Sequence, residues 1–272
     1  MELLDQGKGR EKILVYKADS DEEDATPEEV ILSVQGYLVK ARMPPITRDT
    51  ECVLLSPAQI FLHTEQYLRI TGLGSPHFDK AAVTLLSVHQ FFVNMLGKTA
   101  VHEWDVKREQ GNLVLDFHNQ YLTLREHASQ ESIIDIPKDI DPFGILAKHV
   151  GDEVFTTDGL VKCFERVKAN NIPQKPQHKK CHSTAISIGQ LVEIQTAFVA
   201  APRGKGKYKM VCKARAVCIL DKSIETRVQL ALRSTSPMWK LKRNIGYDDD
   251  SEVEEARQDV KRMRVDEDCS QS

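Results

Sequence analysis

Residues 188–221 read IGQLVEIQTAFVAAPRGKGKYKMVCKARAVCILD and are the most regular part of the chain. Apolar and polar residues alternate along both arms of this stretch, and such period-two alternation predicts two β-strands joined as a hairpin. Gly204 and Gly206 supply the positive φ that the connecting loop needs. With the turn centred on Gly204, the inward face of the hairpin is predicted to consist of Val192, Ile194, Thr196, Phe198, Met210, Cys212, Ala214 and Ala216.

The same register predicts the solvent face. It places Glu193 opposite Arg215, Gln195 opposite Lys213 and Val199 opposite Lys209. The tip and this face together form a basic surface, which is the candidate nucleic-acid-binding site of the sequence: Arg203, Lys205, Lys207, Lys209, Lys213 and Arg215.

Two interpretations of this basic surface stay open. Small β-barrels of the OB type bind single strands in such grooves, usually with aromatic residues on which bases stack. Here Tyr208 falls on the inward face by parity, so the aromatic part of the pattern is missing. The alternative is a solvated hairpin whose lysines protect an exposed strand edge. A phosphate-binding strand–loop–helix is excluded, because its spacing is absent and a strand follows GKGK.

Charge is distributed unevenly along the 272 residues, although the net charge is only −3. Residues 1–30 carry ten acids and four bases, residues 173–215 nine bases and one acid, and the tail from Lys240 seven bases and ten acids. A basic middle indicates an anionic partner. It is equally compatible with acidic segments that fold back and screen the basic surface.

The composition predicts an intracellular protein. The first residues carry charges where a signal peptide needs an apolar segment, and the six cysteines are scattered. No apolar run approaches the roughly 20 residues of a membrane span, so no membrane partner is expected. In the tail, VKRMR matches a short nuclear-import pattern through Lys261, Arg262 and Arg264, which favours the nucleus over the cytoplasm.

The predicted fold class is α+β, with a helical and hairpin N-terminal half, a small antiparallel sheet or partial barrel in the C-terminal half, and flexible acidic ends. A strand from Val30 stops before Pro44. Two helices then begin at Ser-Pro pairs and end at glycines, one from Ser56 to Gly72 and the other from Ser75 to Gly97.

The second of these helices is apolar on most sides, which predicts that it is buried against a sheet. Val83, Leu86, Gln90 and Val93 form one line along it. Further along the chain, a helix from Thr157 to about Asn171 and a short strand in TRVQLALRS are expected. The predicted regions are 1–29 (acidic segment), 30–135 (α+β), 136–236 (basic hairpin) and 237–272 (tail).

A second hairpin is predicted around EQGN, with strands at 101–108 and 113–119. Its register places Trp104 against Phe117 on the packed face and Asp105 against Asp116 on the other. Carboxylates and a lysine in this arrangement are used by metal-dependent phosphodiesterases and nucleases. An alternative catalytic site therefore consists of Glu103, Asp105, Lys107, Asp116 and His118. A hydrated polar face is the favoured interpretation. HKKCH has no second ligand pair, so no metal site and no cofactor are predicted.

The Gly189–Gln195 motif GQLVEIQ, with VFTTDGLVKCFERV upstream, resembles multicopy uncharacterised proteins of basidiomycete fungi. Those proteins typically read G-D-[IL]-V-E-x-Q before a basic tip, and Gln190 stands here where an acid is usual. The resemblance covers about the last 120 residues and implies no known activity. Multicopy occurrence implies association with mobile elements.

From these observations we expect a non-enzymatic intracellular binding protein that contacts nucleic acid through the basic hairpin. A protein-interaction or scaffold module is the first alternative. A metal-dependent phosphodiesterase or nuclease is the second.

Overall fold

The computed structural model describes residues 1–7, 10–17, 26–47, 65–167 and 177–234. Two α-helices and twelve β-strands occur in these ranges. They are β1 (Glu2–Asp5), β2 (Lys12–Val15), β3 (Leu32–Arg42), β4 (Glu65–Thr71), α1 (Pro76–Leu96), β5 (Lys107–Glu109), β6 (Asn112–Gln120), β7 (Leu122–Leu124), β8 (Glu153–Phe155), β9 (Lys162–Val167), β10 (Gln177–Lys180), β11 (Leu191–Pro202), β12 (Tyr208–Asp221) and α2 (Glu225–Ser234).

Five strands close a barrel. Around the barrel they follow the order β3–β4–β6–β12–β11, and β11 pairs again with β3. All neighbours are antiparallel except β6 and β12, which are parallel. Three consecutive strands followed by a hairpin that returns beside the first make this a five-stranded Greek-key barrel, the architecture of OB folds. The hairpins β1–β2 and β9–β10 extend the sheet from β11 and β12.

The predicted α+β class with a helical N-terminal half is wrong, because the molecule is mainly a β-barrel. Residues 65–71 were expected to end a helix but form β4. In β4, Gln66, Leu68 and Ile70 are buried, while Glu65, Tyr67 and Arg69 point outward. This alternation is strand-like, and pairing with β3 and β6 outweighs the helix-like start at Ser56. Ser56 itself lies outside the described residues.

Two further elements differ from expectation. Residues 162–167 form strand β9 rather than a helix, because they pair with both β10 and β12. Conversely, TRVQLALRS belongs to helix α2, on which Val228 is buried. Both differences have one cause: short segments of mixed pattern take the structure that their tertiary neighbours allow.

The basic hairpin of the sequence is confirmed as β11–β12. Near its tip, Ala201 lies opposite Lys209 and Pro202 opposite Tyr208, so the two residue numbers of each pair sum to 410. A turn centred on Gly204 predicts pairs that sum to 408. A shift of two preserves which face each side chain takes, and all eight residues predicted to face inward are at most 8% exposed. The loop is therefore centred on Lys205, and φ is positive at Gly204, Lys205 and Gly206.

The corrected register also changes the cross-strand pairs on the outer face. Glu193 lies opposite Cys218 and accepts a hydrogen bond from Gln35, so it does not neutralise Arg215. An irregularity between Gln195 and Thr196 adds one further residue to the offset beyond that point. A β-bulge of this kind cannot be recognised from the sequence when the residues before and after it are apolar.

Helix α1 is confirmed with its predicted Ser75 N-cap position and Gly97 end. The buried stripe differs from the predicted line and consists of Phe78, Ala82, Leu85, Val88 and Phe92. Val83 and Leu86, which we expected inside, are 61% and 40% exposed. Phe78 lies so close to Gly72 that a Cβ there would come within 2.3 Å of the phenylalanine side chain.

The EQGN turn is confirmed in register but is shorter than predicted. Glu109 pairs with Asn112, and the loop consists of Gln110 and Gly111, both with positive φ, as in a type I′ turn. Strand β5 covers only Lys107–Glu109, so Trp104 and Asp105 do not pair with β6. A second, smaller core lies beside the two-stranded sheet β7–β8 and includes Leu122, Leu146 and Phe155.

Among the described helices, none combines the length and apolar character that a membrane crossing requires.

Candidate nucleic-acid interface

Four side chains form a row across the outside of the barrel. In the sheet register Arg42 of β3 pairs with Tyr67 of β4, Tyr67 with His118 of β6, and His118 with Lys213 of β12. The Tyr67 and His118 ring centroids are 5.1 Å apart, and the Arg42 guanidinium carbon lies 5.9 Å from the Tyr67 centroid. The row therefore presents a cation, two aromatic rings and a second cation on neighbouring strands.

A partly buried charge network holds this row in place from one side. Arg69 donates to both oxygens of Asp116, with Nε–Oδ1 at 2.6 Å and Nη2–Oδ2 at 2.9 Å, and Arg69 Nη1 donates to Glu109 at 2.8 Å. Lys107 Nζ and the Tyr67 hydroxyl also donate to Asp116, at 2.9 and 2.8 Å. The orientation of Tyr67 is thus fixed at its hydroxyl end.

These contacts shift the pKa values of the network. Burial by itself disfavours the charged Asp116 carboxylate, but hydrogen bonds from Arg69, Lys107 and Tyr67 outweigh burial and lower its pKa well below the ordinary range. Burial and the hydrogen bond to Asp116 raise the pKa of Tyr67, so this residue stays a neutral phenol. Asp116 is therefore an anion at neutral pH.

Glu65 supports the other end of the row. Its Oε1 lies 3.0 Å from His118 Nδ1 and 3.3 Å from Arg42 Nη2. The side chains of His118 and Arg42 remain 32% and 39% exposed. Both have a face open to solvent on which a planar group can stack.

A groove with a volume of about 930 Å³ is lined by the His118 and Lys213 end of this row. It follows the seam between β6 and β12, which share only the pair His118–Lys213. At such a weakly paired seam the barrel is partly open, and both outer-face and core residues line the groove. Among them are Trp104, Asp116, His118, Asn119, Arg203, Lys209, Lys213 and Arg215.

The groove is not basic as a whole, because eight acidic side chains line it beside six lysine or arginine side chains, and acids neutralise two of those cations. Lys213 Nζ lies 3.0 Å from Glu11, and Arg215 donates to both oxygens of Glu29. The exposed fractions of the Lys213 and Arg215 side chains are 21% and 20%. The N-terminal segment therefore covers part of the basic face, the second of the two possibilities that the charge distribution left open.

The remaining predicted residues lie at the tip and near it. Arg203, Lys205 and Lys209 are exposed and, within the described residues, make no ion pair. Lys207 Nζ donates to the Thr99 carbonyl at 2.7 Å. The predicted import residues Lys261, Arg262 and Arg264 lie outside the described residues.

The five residues of the alternative catalytic cluster all line the groove, but the predicted pairing of Asp105 with Asp116 is wrong. Glu103 and Asp105 are exposed in the stretch before β5, whereas the Asp116 carboxylate is occupied by Arg69, Lys107 and Tyr67. The two aspartates therefore do not face each other across a hairpin. Within the described ranges, no group of three or more His, Cys, Asp or Glu side chains is placed to hold a metal ion.

Sequence reasoning missed Arg42, Tyr67 and Arg69. Tyr67 and Arg69 fall in the segment that we predicted as a helix, so their alternation with buried Gln66 and Leu68 was not used. The aromatic residues that the basic hairpin lacks come from β4 and β6, which lie far from β12 in sequence; in the barrel β6 neighbours β12, and β4 neighbours β6.

No family model matches the chain, and no curated protein matches it. Among solved structures, the chain is similar to gp2.5, a single-stranded DNA-binding protein encoded by bacteriophage T7. The TM-score is 0.36 at 8% sequence identity, and the match covers 70% of this chain and 91% of that chain. A TM-score of this size marks a weak similarity.

Proposed function

We propose that this protein binds single-stranded nucleic acid across the outer face of β4 and β6. One observation carries the proposal: the row Arg42–Tyr67–His118–Lys213 places two aromatic rings between two cations, and its His118–Lys213 end lines a groove. In five-stranded barrels of this architecture, the face of the second and third strands and the loops beside it bind oligonucleotides. In barrel order β4 and β6 are the second and third strands.

Single strands fit this surface better than duplexes do. A duplex presents phosphates outward and keeps its bases stacked inside, whereas a single strand can lay unpaired bases on aromatic rings or guanidinium planes. The exposed faces of His118 and Arg42 supply such planes. Tyr67 lies between them, with its ring centroid 5.1 Å from that of His118 and 5.9 Å from the Arg42 guanidinium carbon, and its hydroxyl is held by Asp116.

The backbone of the strand has a path along the groove to the hairpin tip. Arg203 and Lys209 line the groove, and Lys205 projects from the tip loop, which connects the last two strands of the barrel. This loop is one of those that contact ligand in barrels of this type. The basic hairpin of the sequence therefore contributes phosphate contacts, while the bases lie on β4 and β6.

The proposal is tested by fluorescence anisotropy of labelled single-stranded DNA, single-stranded RNA and duplex DNA with the purified protein and its variants. Replacing His118 by alanine removes one stacking face and should weaken single-strand binding by about 1–3 kcal/mol, the range measured for base–aromatic stacking. His77→Ala is the matched control, because His77 is an exposed histidine on α1 away from the row.

Equal loss of binding in His118→Ala and His77→Ala would contradict the proposed site. Tighter binding of duplex than of single strands would contradict the proposed ligand. Absence of binding to all three probes at low salt would contradict the function itself. Charge reversal of Lys205 and Lys209 provides a second test, with charge reversal of exposed Lys80 and Lys98 as its control.

Two expectations of the sequence remain proposals at this point. Nuclear location is proposed from Lys261, Arg262 and Arg264, and replacing these residues by alanine in a fluorescent fusion tests it. Association with mobile elements is proposed from the fungal resemblance alone.

A further inference from the structure

Two cations of the basic face, Lys213 and Arg215, form ion pairs with carboxylates. Lys213 Nζ lies 3.0 Å from the Glu11 carboxylate, and the Glu29 carboxylate accepts hydrogen bonds from both Nε and Nη2 of Arg215. Lys213 and Arg215 point to the same side of β12, and Lys213 belongs to the row that begins the proposed site. The ion pairs thus cover part of the surface that a polyanion would otherwise contact.

The backbone fixes both acids in these positions. Glu29 lies opposite Val15 of β2 in an antiparallel bridge, with backbone hydrogen bonds from Tyr16 to Glu28 and from Val30 to Leu14. Glu11 immediately precedes β2, which pairs with β11 and buries Leu14 completely. Because β2, which Glu11 precedes and Glu29 lies opposite, is anchored in the core, the carboxylates are held beside the cations.

We infer that Glu11 and Glu29 are specificity-determining residues, which suppress binding of polyanions that offer only phosphate or sulfate charge. This inference rests on the proposed function and adds to it the means by which the site discriminates among anions. A duplex or a sulfated polysaccharide must displace the carboxylates to reach Lys213 and Arg215 and gains little from the exchange. A single strand gains binding energy from stacking on His118 and Arg42, which the carboxylates do not oppose.

The expected effect of Glu11 and Glu29 rests on how a binding site discriminates between competing ligands. Discrimination is a difference of two affinities, and it increases when an unfavourable element acts on the wrong ligand. Repulsive and pre-neutralising charges reduce the sequence-independent electrostatic binding that dominates affinity for nucleic acids. Stacking is less sensitive to those charges, so the ratio of single-strand to duplex affinity rises.

The experiment compares two variants with the same change in net charge, from −3 to −1. One is Glu11→Gln with Glu29→Gln, which removes both ion pairs and keeps the side-chain shape. The control is Glu2→Gln with Glu28→Gln, because both residues are exposed acids in the same segment and make no ion pair within the described residues. Anisotropy with single-stranded DNA and duplex DNA, and the salt concentration of elution from heparin, are measured for both variants and the wild type.

Removal of Glu11 and Glu29 should raise affinity for duplex and heparin several-fold more than affinity for single strands, so the single-strand preference falls. The control should leave that preference unchanged. Equal changes in both variants, or an unchanged preference in the Glu11/Glu29 variant, would overturn the inference. The single replacements serve if the double variant is unfolded by circular dichroism.

Failure of this inference is distinguishable from failure of the proposed function. If the wild type binds single strands but the preference does not depend on Glu11 and Glu29, only the inference fails. If the wild type does not bind single strands at all, the proposed function fails.

Discussion

Asp116 is the residue on which the outer face of β4 and β6 depends. It accepts hydrogen bonds from Arg69, Lys107 and the Tyr67 hydroxyl, and its side chain is only 14% exposed. A partly buried carboxylate is stable only with such partners. The Asp116 carboxylate therefore fixes the position of Tyr67 and, through the contact between the two rings, that of His118.

Asp116→Asn should lower the free energy of unfolding by about 1–3 kcal/mol, because Arg69 and Lys107 lose a charged acceptor. The pH dependence has a defined sign. Since the pKa of Asp116 is lowered by folding, its contribution is present at neutral pH and is lost as the pH falls below about 4, where the unfolded chain takes up the proton first. Urea unfolding of wild type and variant at pH 7 and pH 3 measures both effects.

Asp105→Asn is the control for this prediction. Asp105 is the exposed aspartate that the sequence placed opposite Asp116, and its replacement should change stability by no more than about 0.5 kcal/mol. Similar losses for both variants at pH 7 would mean that the network around Asp116 does not stabilise the fold.

Individual residues were predictable from the sequence only where a local pattern defined their surroundings. The inward residues of β11 and β12 are confirmed because alternation alone assigns a face, and a register error of two does not change it. The partners of Lys213 and Arg215 were not predictable. Glu11 and Glu29 are separated from them by 202 and 186 positions, and no local pattern carries that information.

At the scale of elements, the small sheet β7–β8 contains an unusual side chain. Glu153 pairs with Leu124 across the sheet, is only 5% exposed and lines the groove. Burial raises the pKa of Glu153 from 4.5 to about 6. The ionised side chain therefore opposes folding of this sheet at neutral pH.

Glu153→Gln should make the protein more stable than wild type at pH 7.5. Because the pKa is raised by folding, the favourable contribution of the proton is present below about pH 4.5 and is lost as the pH rises through about 6. The difference between variant and wild type should consequently shrink between pH 7.5 and pH 5, as followed by urea unfolding.

Glu131→Gln, at an exposed glutamate between β7 and β8, should show no such pH-dependent gain. A Glu153→Gln variant that is less stable than wild type at pH 7.5 would show that the carboxylate has a stabilising partner or ligand.

The elements that the sequence predicted correctly are those with a strong local period and defined ends. Helix α1 has its Ser75 and Gly97 boundaries, and the β11–β12 hairpin has its glycine loop. Strand β4 was missed because a Ser-Pro start upstream favoured a helix, while its seven residues alternate only briefly. Strand β9 and helix α2 are short, and pairing or packing with distant residues determines which structure they adopt.

At the scale of the whole molecule, the closure of the barrel could not be predicted from local patterns. The barrel depends on pairing of β3 with β11 and on the parallel contact of β6 with β12, and these strands are far apart in the chain. Closure also creates the proposed site, because it brings Arg42, Tyr67, His118 and Lys213 into one row. The barrel takes strands from both regions that we separated at residue 136.

The charge distribution of the folded molecule predicts how single-strand binding responds to salt. Of the six cations predicted on the basic hairpin, Lys213 and Arg215 are held by Glu11 and Glu29, and Lys207 donates to the Thr99 carbonyl. The other three, Arg203, Lys205 and Lys209, are exposed and are available to phosphate.

Because each phosphate contact on a single strand contributes about −0.7 to the slope of log K against log salt, three contacts give a slope of about −2. Anisotropy titrations between 50 and 300 mM salt measure it. Charge removal at Lys205 should make the slope shallower by about 0.7, whereas the same change at exposed Lys80 on α1 should leave it unaltered. A slope of about −3.5 in the wild type would mean that phosphate displaces the carboxylates from Lys213 and Arg215, and a slope near zero would mean that binding does not use the hairpin cations.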